Sequence, residues 1–169
     1  MGPDTNIVPI PSRRGERRQR APVAPYVSYK TFKRFLARVV KDGSPTRFED
    51  DFFGDVSGSH IAQLRGTLRY FGLIDEWKRP TAVLNSYLDG TSNERVEMLR
   101  SLFDKSYSDV QSLGSEVSES ALRSLFEERG LSGTTVQRAV DFYQAMLLDI
   151  GKTTSHTQVT RDSETRLEP

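Results

Sequence analysis

The chain has 169 residues, 36% of them hydrophobic and 28% charged, with a formal net charge of +1, which suffices for the core of one domain or of two closely joined halves. It contains no cysteine, and this excludes disulfides, thiolate zinc sites and cysteine nucleophiles. No run approaches the roughly 20 apolar residues of a membrane span, and no apolar segment follows the arginines of SRRGERRQR to make an export signal, so a cytoplasmic protein without a membrane partner is expected.

The charge is uneven along the chain. Residues 1–24 carry five Lys and Arg against two Asp and Glu, residues 25–151 carry sixteen against eighteen, and residues 152–169 carry three against three. The positive excess therefore sits in an N-terminal arm, where Arg13, Arg14, Arg17, Arg18 and Arg20 stand among Pro, Gly and Gln. Such a segment has too little apolar surface to order itself, so residues 1–24 read as a disordered basic arm. It can gain phosphate affinity by counterion release, or serve as a solubilising tail. Residues 151–169 are polar and unpatterned and read as a disordered tail.

Between these ends apolar residues recur at helical spacing. In YKTFKRFLARVVK, residues 29–41, Phe32, Phe35, Leu36, Val39 and Val40 form one stripe, and Lys30, Lys33, Arg34, Arg38 and Lys41 form the opposite face. That face is either solvated or in contact with phosphates. RFEDDFF, residues 47–53, predicts a short helix with Phe48, Phe52 and, more weakly, Phe53 inward. SGSHIAQLRGTLRYFGLID, residues 57–75, predicts a helix capped by Ser57, buried through Ile61, Leu64, Leu68 and Phe71, and ended by Gly72. Pro80 opens a short helix with Val83, Leu84, Tyr87 and Leu88, ended at Asp89-Gly90. Thr91-Ser92-Asn93-Glu94 has capping-box form and leads a longer helix with Val96, Leu99, Phe103, Tyr107 and Val110 inward. Two further helices follow, near 119–129 with Leu122, Leu125 and Phe126 inward, and near 133–149 with Val136, Val140, Tyr143, Met146 and Leu147 inward. They form a second helix-turn-helix-like pair, in which Ser132-Gly133-Thr134 echoes Ser57-Gly58-Ser59.

The fold class predicted is all-α: a single helical domain over 25–150 of about six to seven helices, with a winged-helix-like half at 25–80 and a helical half at 81–150. Three helices followed by GLIDEWKRPT match a helix-turn-helix core that passes into a hairpin or wing, with Leu73 and Ile74 beneath the core and Trp77 at the turn. On the outward side of the 57–71 helix lie Ser59, Ala62, Gln63, Gly66, Arg69 and Tyr70. Small residues there permit close approach, and Gln, Arg and Tyr offer hydrogen bonds and stacking. Lys78 and Arg79 would then touch the phosphate backbone. The candidate nucleic-acid-binding residues are thus Ser59, Gln63, Gly66, Arg69, Tyr70, Lys78, Arg79 and the five arginines of the arm.

YVSYKTFKRFL, SGSHIAQLRGTLRYFGLID with its following RPT, and SGTTVQRAVDFYQAML resemble, in this order, segments of a prokaryotic family of helical domains of unknown function. The resemblance covers about residues 25–150. It implies an all-helical, winged-helix-like domain and transfers no activity and no catalytic residue. The family has an acidic, glycine-containing turn before Pro-Thr, where this chain has Glu76-Trp77-Lys78-Arg79, a departure that argues against a tight hairpin.

Catalysis has no visible machinery in the sequence. His60 opens a helix and His156 lies in the polar tail, so neither makes a credible base or metal ligand. GKTT fails as a phosphate loop because Met146 stands where the leading glycine belongs. No enzyme, cofactor, metal or small-molecule substrate is expected. Two function classes stay open: a nucleic-acid-binding or regulatory module with DNA as partner, and a protein-interaction adaptor or homodimer, which the acidic balance of the domain favours.

Overall fold

The computed structural model describes residues 23–114 and 117–151; the arginines of the arm and the tail from residue 152 onward, with the expectations made for them, lie outside the described residues. There the chain is all-helical: α1 (Tyr29–Asp42), a 3₁₀ turn (Asp50–Phe53), α2 (Gly58–Tyr70), α3 (Ala82–Asp89), α4 (Ser92–Ser106), α5 (Ser108–Ser112), α6 (Glu119–Glu128) and α7 (Thr134–Asp149). The β-type pairing among the described residues is one antiparallel bridge, Ile74 to Pro80. Ala24, assigned from sequence to the arm, is 1% exposed and belongs to the core.

Local chemistry sets most helix ends. The Ser28 hydroxyl accepts the Thr31 N–H at the start of α1, and Thr91 and Glu94 complete both halves of the predicted capping box at α4. Ser57 occupies the N-cap position of α2 but makes no side-chain cap bond; its hydroxyl lies 2.8 Å from His60 Nδ1 instead. The Ser-Gly echo does not hold in register, because the N-cap of α7 is Gly133, at φ 57, and not Ser132. The long helix expected through Val110 is broken at Tyr107 into α4 and α5. At the break, the Tyr70 hydroxyl donates to the Ser106 carbonyl and the Val110 N–H turns to its neighbour's Asp109 carboxylate, replacing the helical bond between those two groups.

The core is organised by rings. Tyr29 and Phe32 of α1, Phe71 after α2, Phe103 and Tyr107 of α4 and its cap, and Phe142 and Tyr143 of α7 form one continuous chain of contacts with centroids 5.0–6.3 Å apart. A second group beside it joins Phe35, Phe48, Phe52 and Phe53. Here the expected order is reversed: Phe53 is buried and stacks on Phe35 at 5.4 Å, whereas Phe52 is half-buried under the Arg38 guanidinium. A 3₁₀ turn has three residues per turn, so the face seen by Phe53 is not the one an α-helical period assigns it.

Polar links, both long-range and local, tie the helices together. The Tyr29 hydroxyl donates to Asp149 at 2.6 Å and the Lys33 ammonium at 2.8 Å, latching α1 to the end of α7. Arg100 donates to the Ile150 carbonyl and Arg95 to the carbonyls of Tyr87 and Leu88. Burial would raise the Asp149 carboxyl, but the hydrogen bonds from Lys33 and Tyr29 outweigh it and hold it below the usual range. A carboxyl depressed in the folded state contributes stability that is present above its unfolded value, near about 4, and lost as pH falls through the folded value.

Two outcomes are expected. Phe32→Ala, at a fully buried ring contacting Tyr29, Phe71 and Phe142, should lower unfolding free energy by about 3–5 kcal/mol, read from the denaturant midpoint. Asp149→Asn should be less stable than the parent at neutral pH, with the deficit shrinking below about pH 4; parallel stability profiles of the two proteins across that range would show the latch to be inert.

Candidate functional site

The candidate surface is built by α2 and the hairpin that follows. Ile61, Leu64, Leu68 and Phe71 bury as predicted, and Thr67 joins them by donating its hydroxyl to the Gln63 carbonyl at 3.0 Å. Gly72, at φ 67, ends the helix in the left-handed region and lets the Leu73 N–H return to the Leu68 carbonyl. Leu73 and Ile74 then pass beneath the core, as expected.

The chain reverses tightly at residues 75–79, contrary to the expectation drawn from the missing glycine. The Asp75 N–H donates to the Arg79 carbonyl and the Thr81 N–H to the Leu73 carbonyl. The Asp75 carboxylate does the work of the absent glycine: it accepts the N–H groups of Trp77 and Arg79 and pairs with the Arg79 guanidinium at 2.9 Å. Lys78 supplies the positive φ, at 65°. Burial would raise the Asp75 carboxyl, but these donors together hold it below the ordinary range. Segment 47–49 braces the hairpin from outside, with the Phe48 N–H donating to the Lys78 carbonyl, Arg47 to the Trp77 carbonyl, and Lys78 paired with Glu49 at 2.6 Å.

The structure divides the predicted site residues. Ser59 is exposed, Gln63 and Gly66 are partly exposed, and nothing lies within 4 Å of the position a Gly66 side chain would first occupy. The small-residue strip Ser59, Ala62 and Gly66 is therefore not packed against the described chain. Arg69 and Tyr70 are instead turned onto the protein. Arg69 reaches the Glu76 carbonyl at 3.2 Å, with its Nε buried. The half-buried Tyr70 accepts from Arg129, which is also paired with Asp109, and packs on Phe71 and Tyr107. Burial raises the Tyr70 hydroxyl against the opposing influence of Arg129. Lys78 and Arg79 are held by Glu49 and Asp75. Arg13, Arg14, Arg17, Arg18 and Arg20 lie outside the described residues. At the hairpin tip Trp77 is 55% exposed beneath the Arg79 guanidinium, 4.8 Å from its ring.

Gln63 has company that sequence reasoning missed. A cleft of about 490 Å³ opens between the start of α1, the first turns of α2 and the middle of α7, with Tyr26, Ser28, Lys30, His60, Gln63 and Arg138 among its lining. Lys30 was visible in the sequence as part of a basic face; Arg138 carried no signal, since only the packing of α7 against α1 brings it there. Among the described residues no group of three or more His, Asp or Glu is arranged to hold a metal ion, and no helix is long and apolar enough to cross a membrane.

The model of a family described as a family of unknown function (DUF5343) matches residues 25–148, nearly the whole folded part. The chain belongs to this family. No curated protein and no solved structure matches it. Membership thus brings no assigned activity.

Because Gly66 sits mid-helix at ordinary φ with open space around it, Gly66→Ala should stabilise the protein by about 0.5–1 kcal/mol. Arg69→Ala should lower the melting temperature by releasing the hairpin from α2. A less stable Gly66→Ala protein would mean that the strip is covered.

Proposed function

We propose that the domain is a non-enzymatic, winged-helix-like module that binds nucleic acid, with α2 as the helix offered to the ligand, the 73–81 hairpin as the wing and the cytoplasm as its place. One observation carries this reading: the strip Ser59, Ala62 and Gly66 is left uncovered on a helix whose other side is locked into the core. A helix interior gives up propensity by holding glycine, and an exposed strip of small side chains lets a groove approach the backbone closely. The hairpin tip, fixed beside α2 by Arg69, adds an exposed Trp77 suited to stacking.

A second reading, a protein-interaction adaptor or homodimer, is favoured by a different observation. Arg69, Lys78 and Arg79 are engaged by the chain's own carbonyls and carboxylates, so the wing offers less free positive charge than its sequence suggested.

Binding of a labelled duplex at two salt concentrations, measured beside light scattering of the protein alone, separates the two. The nucleic-acid reading expects salt-sensitive binding that Gly66→Glu abolishes while its melting temperature stays close to the parent's. The adaptor reading expects no binding, and for a homodimer a mass that falls to the monomer's in Gly66→Glu.

A further inference from the structure

The outer stripe of α1 is the most concentrated free positive charge on the described protein. At 100° per residue, Lys30, Arg34, Ala37 and Lys41 fall within a sector of about 60°, opposite the buried Phe32, Phe35, Leu36 and Val39. All four stripe residues are exposed, and α1 has no acidic residue before Asp42. The cations that flank the stripe are engaged, Lys33 by Asp149 and Arg38 by Asp42 and the Phe52 carbonyl. Lys30, Arg34 and Lys41 have no such partner among the described residues.

This placement is unlike the rest of the described residues. Elsewhere Arg47, Arg65, Lys78, Arg79, Arg100, Arg123 and Arg129 each pair with a carboxylate, and Arg69 and Arg95 hold backbone carbonyls. Of the described cations left over, Lys30, Arg34 and Lys41 share the α1 stripe, Arg138 lines the same cleft as Lys30 together with Asp141, and Lys105 stands apart on α4. An acidic domain that neutralises its cations nearly everywhere leaves them free along one helix.

We propose that the α1 stripe, and not α2 or the hairpin, is the track for the phosphate backbone of duplex nucleic acid, an inference that rests on the nucleic-acid reading above. A rise of about 1.5 Å per residue sets Lys30 and Lys41 about 16 Å apart along the helix, with Arg34 between them. Duplex DNA carries one phosphate of each strand per about 3.4 Å of helix axis, so three separated charges can each neutralise one without competing. Lys30 stands where the stripe meets the cleft that also holds Gln63, which joins the track to the uncovered side of α2.

The test is the salt dependence of duplex binding by the full chain, followed by fluorescence anisotropy from about 50 to 200 mM salt. The triple variant Lys30→Gln, Arg34→Gln and Lys41→Gln should bind more weakly and flatten the log–log slope by about 2.7, at about 0.9 per lost contact. Its melting temperature should match the parent's, since none of the three touches the core. Lys105→Gln should leave the slope unchanged. The inference is overturned if the triple variant keeps the parental slope, or if Lys105→Gln flattens it by as much as each α1 charge does. If the parent binds no duplex even at the lowest salt, the nucleic-acid reading itself fails, a result distinct from binding that persists with α1 neutralised.

Discussion

Everything in this fold hangs on rings that meet across distant parts of the chain. Phe32 from the first helix, Phe71 just past the second and Phe142 from the last lie within 6.0 Å of one another, centroid to centroid. Aromatic pairs add about 0.5–1.5 kcal/mol each beyond the burial of their area. More important here is that they fix three helices against one another at one point. Tyr107 carries the contact from Phe71 to Phe103 and Tyr143, so the second half of the domain joins the same spine. The two halves suggested by the sequence are therefore one packing unit, and α2 is held from behind while its outer side stays uncovered.

Charge is handled by a different logic from apolar packing. Surface ion pairs of this kind contribute little singly, about 0–1 kcal/mol. Their effect in this protein is to remove cations from the free surface. Glu49 takes Lys78 and lies 3.5 Å from Arg47, and Asp75 takes Arg79; the same contacts that hold the hairpin cancel the charge that sequence reading had assigned to phosphate contact. Among the described residues, the largest group of cations left without such a partner is the Lys30, Arg34 and Lys41 stripe of α1.

The helices were legible because their periodicity is strong and their caps are chemical. The buried stripes of α1, α2 and α7 and the Thr91–Glu94 box follow from spacing and residue type alone. Spacing did not separate Phe52 from Phe53, because a 3₁₀ turn obeys another period. It did not reveal the tight hairpin, because the usual glycine signal is replaced by a carboxylate that gathers two N–H groups. The outward face of α2 was only half legible. Ser59, Ala62 and Gly66 lie open as the helical wheel places them, but Arg69 and Tyr70 share that face and still turn inward. Tyr70 finds partners 36 and 59 residues away, and no local pattern announces a partner at that distance. The cleft beside Gln63 was illegible for the same reason, since it exists only where α7 crosses α1.

Tyr70 has a wider consequence. Its hydroxyl joins the last turn of α2 to the Ser106 carbonyl at the end of α4 and to Arg129 at the end of α6, so strain applied to α2 is shared by three helices at once. A partner that seats on α2 therefore cannot stabilise that helix by itself. Its binding free energy would be shared with the helices that Tyr70 joins, and unfolding in its presence is expected to remain a single transition moved to higher temperature. The domain thus carries its own reporter: mixtures of unlabelled candidate partners can be ranked by thermal shift before anything is known of what they are.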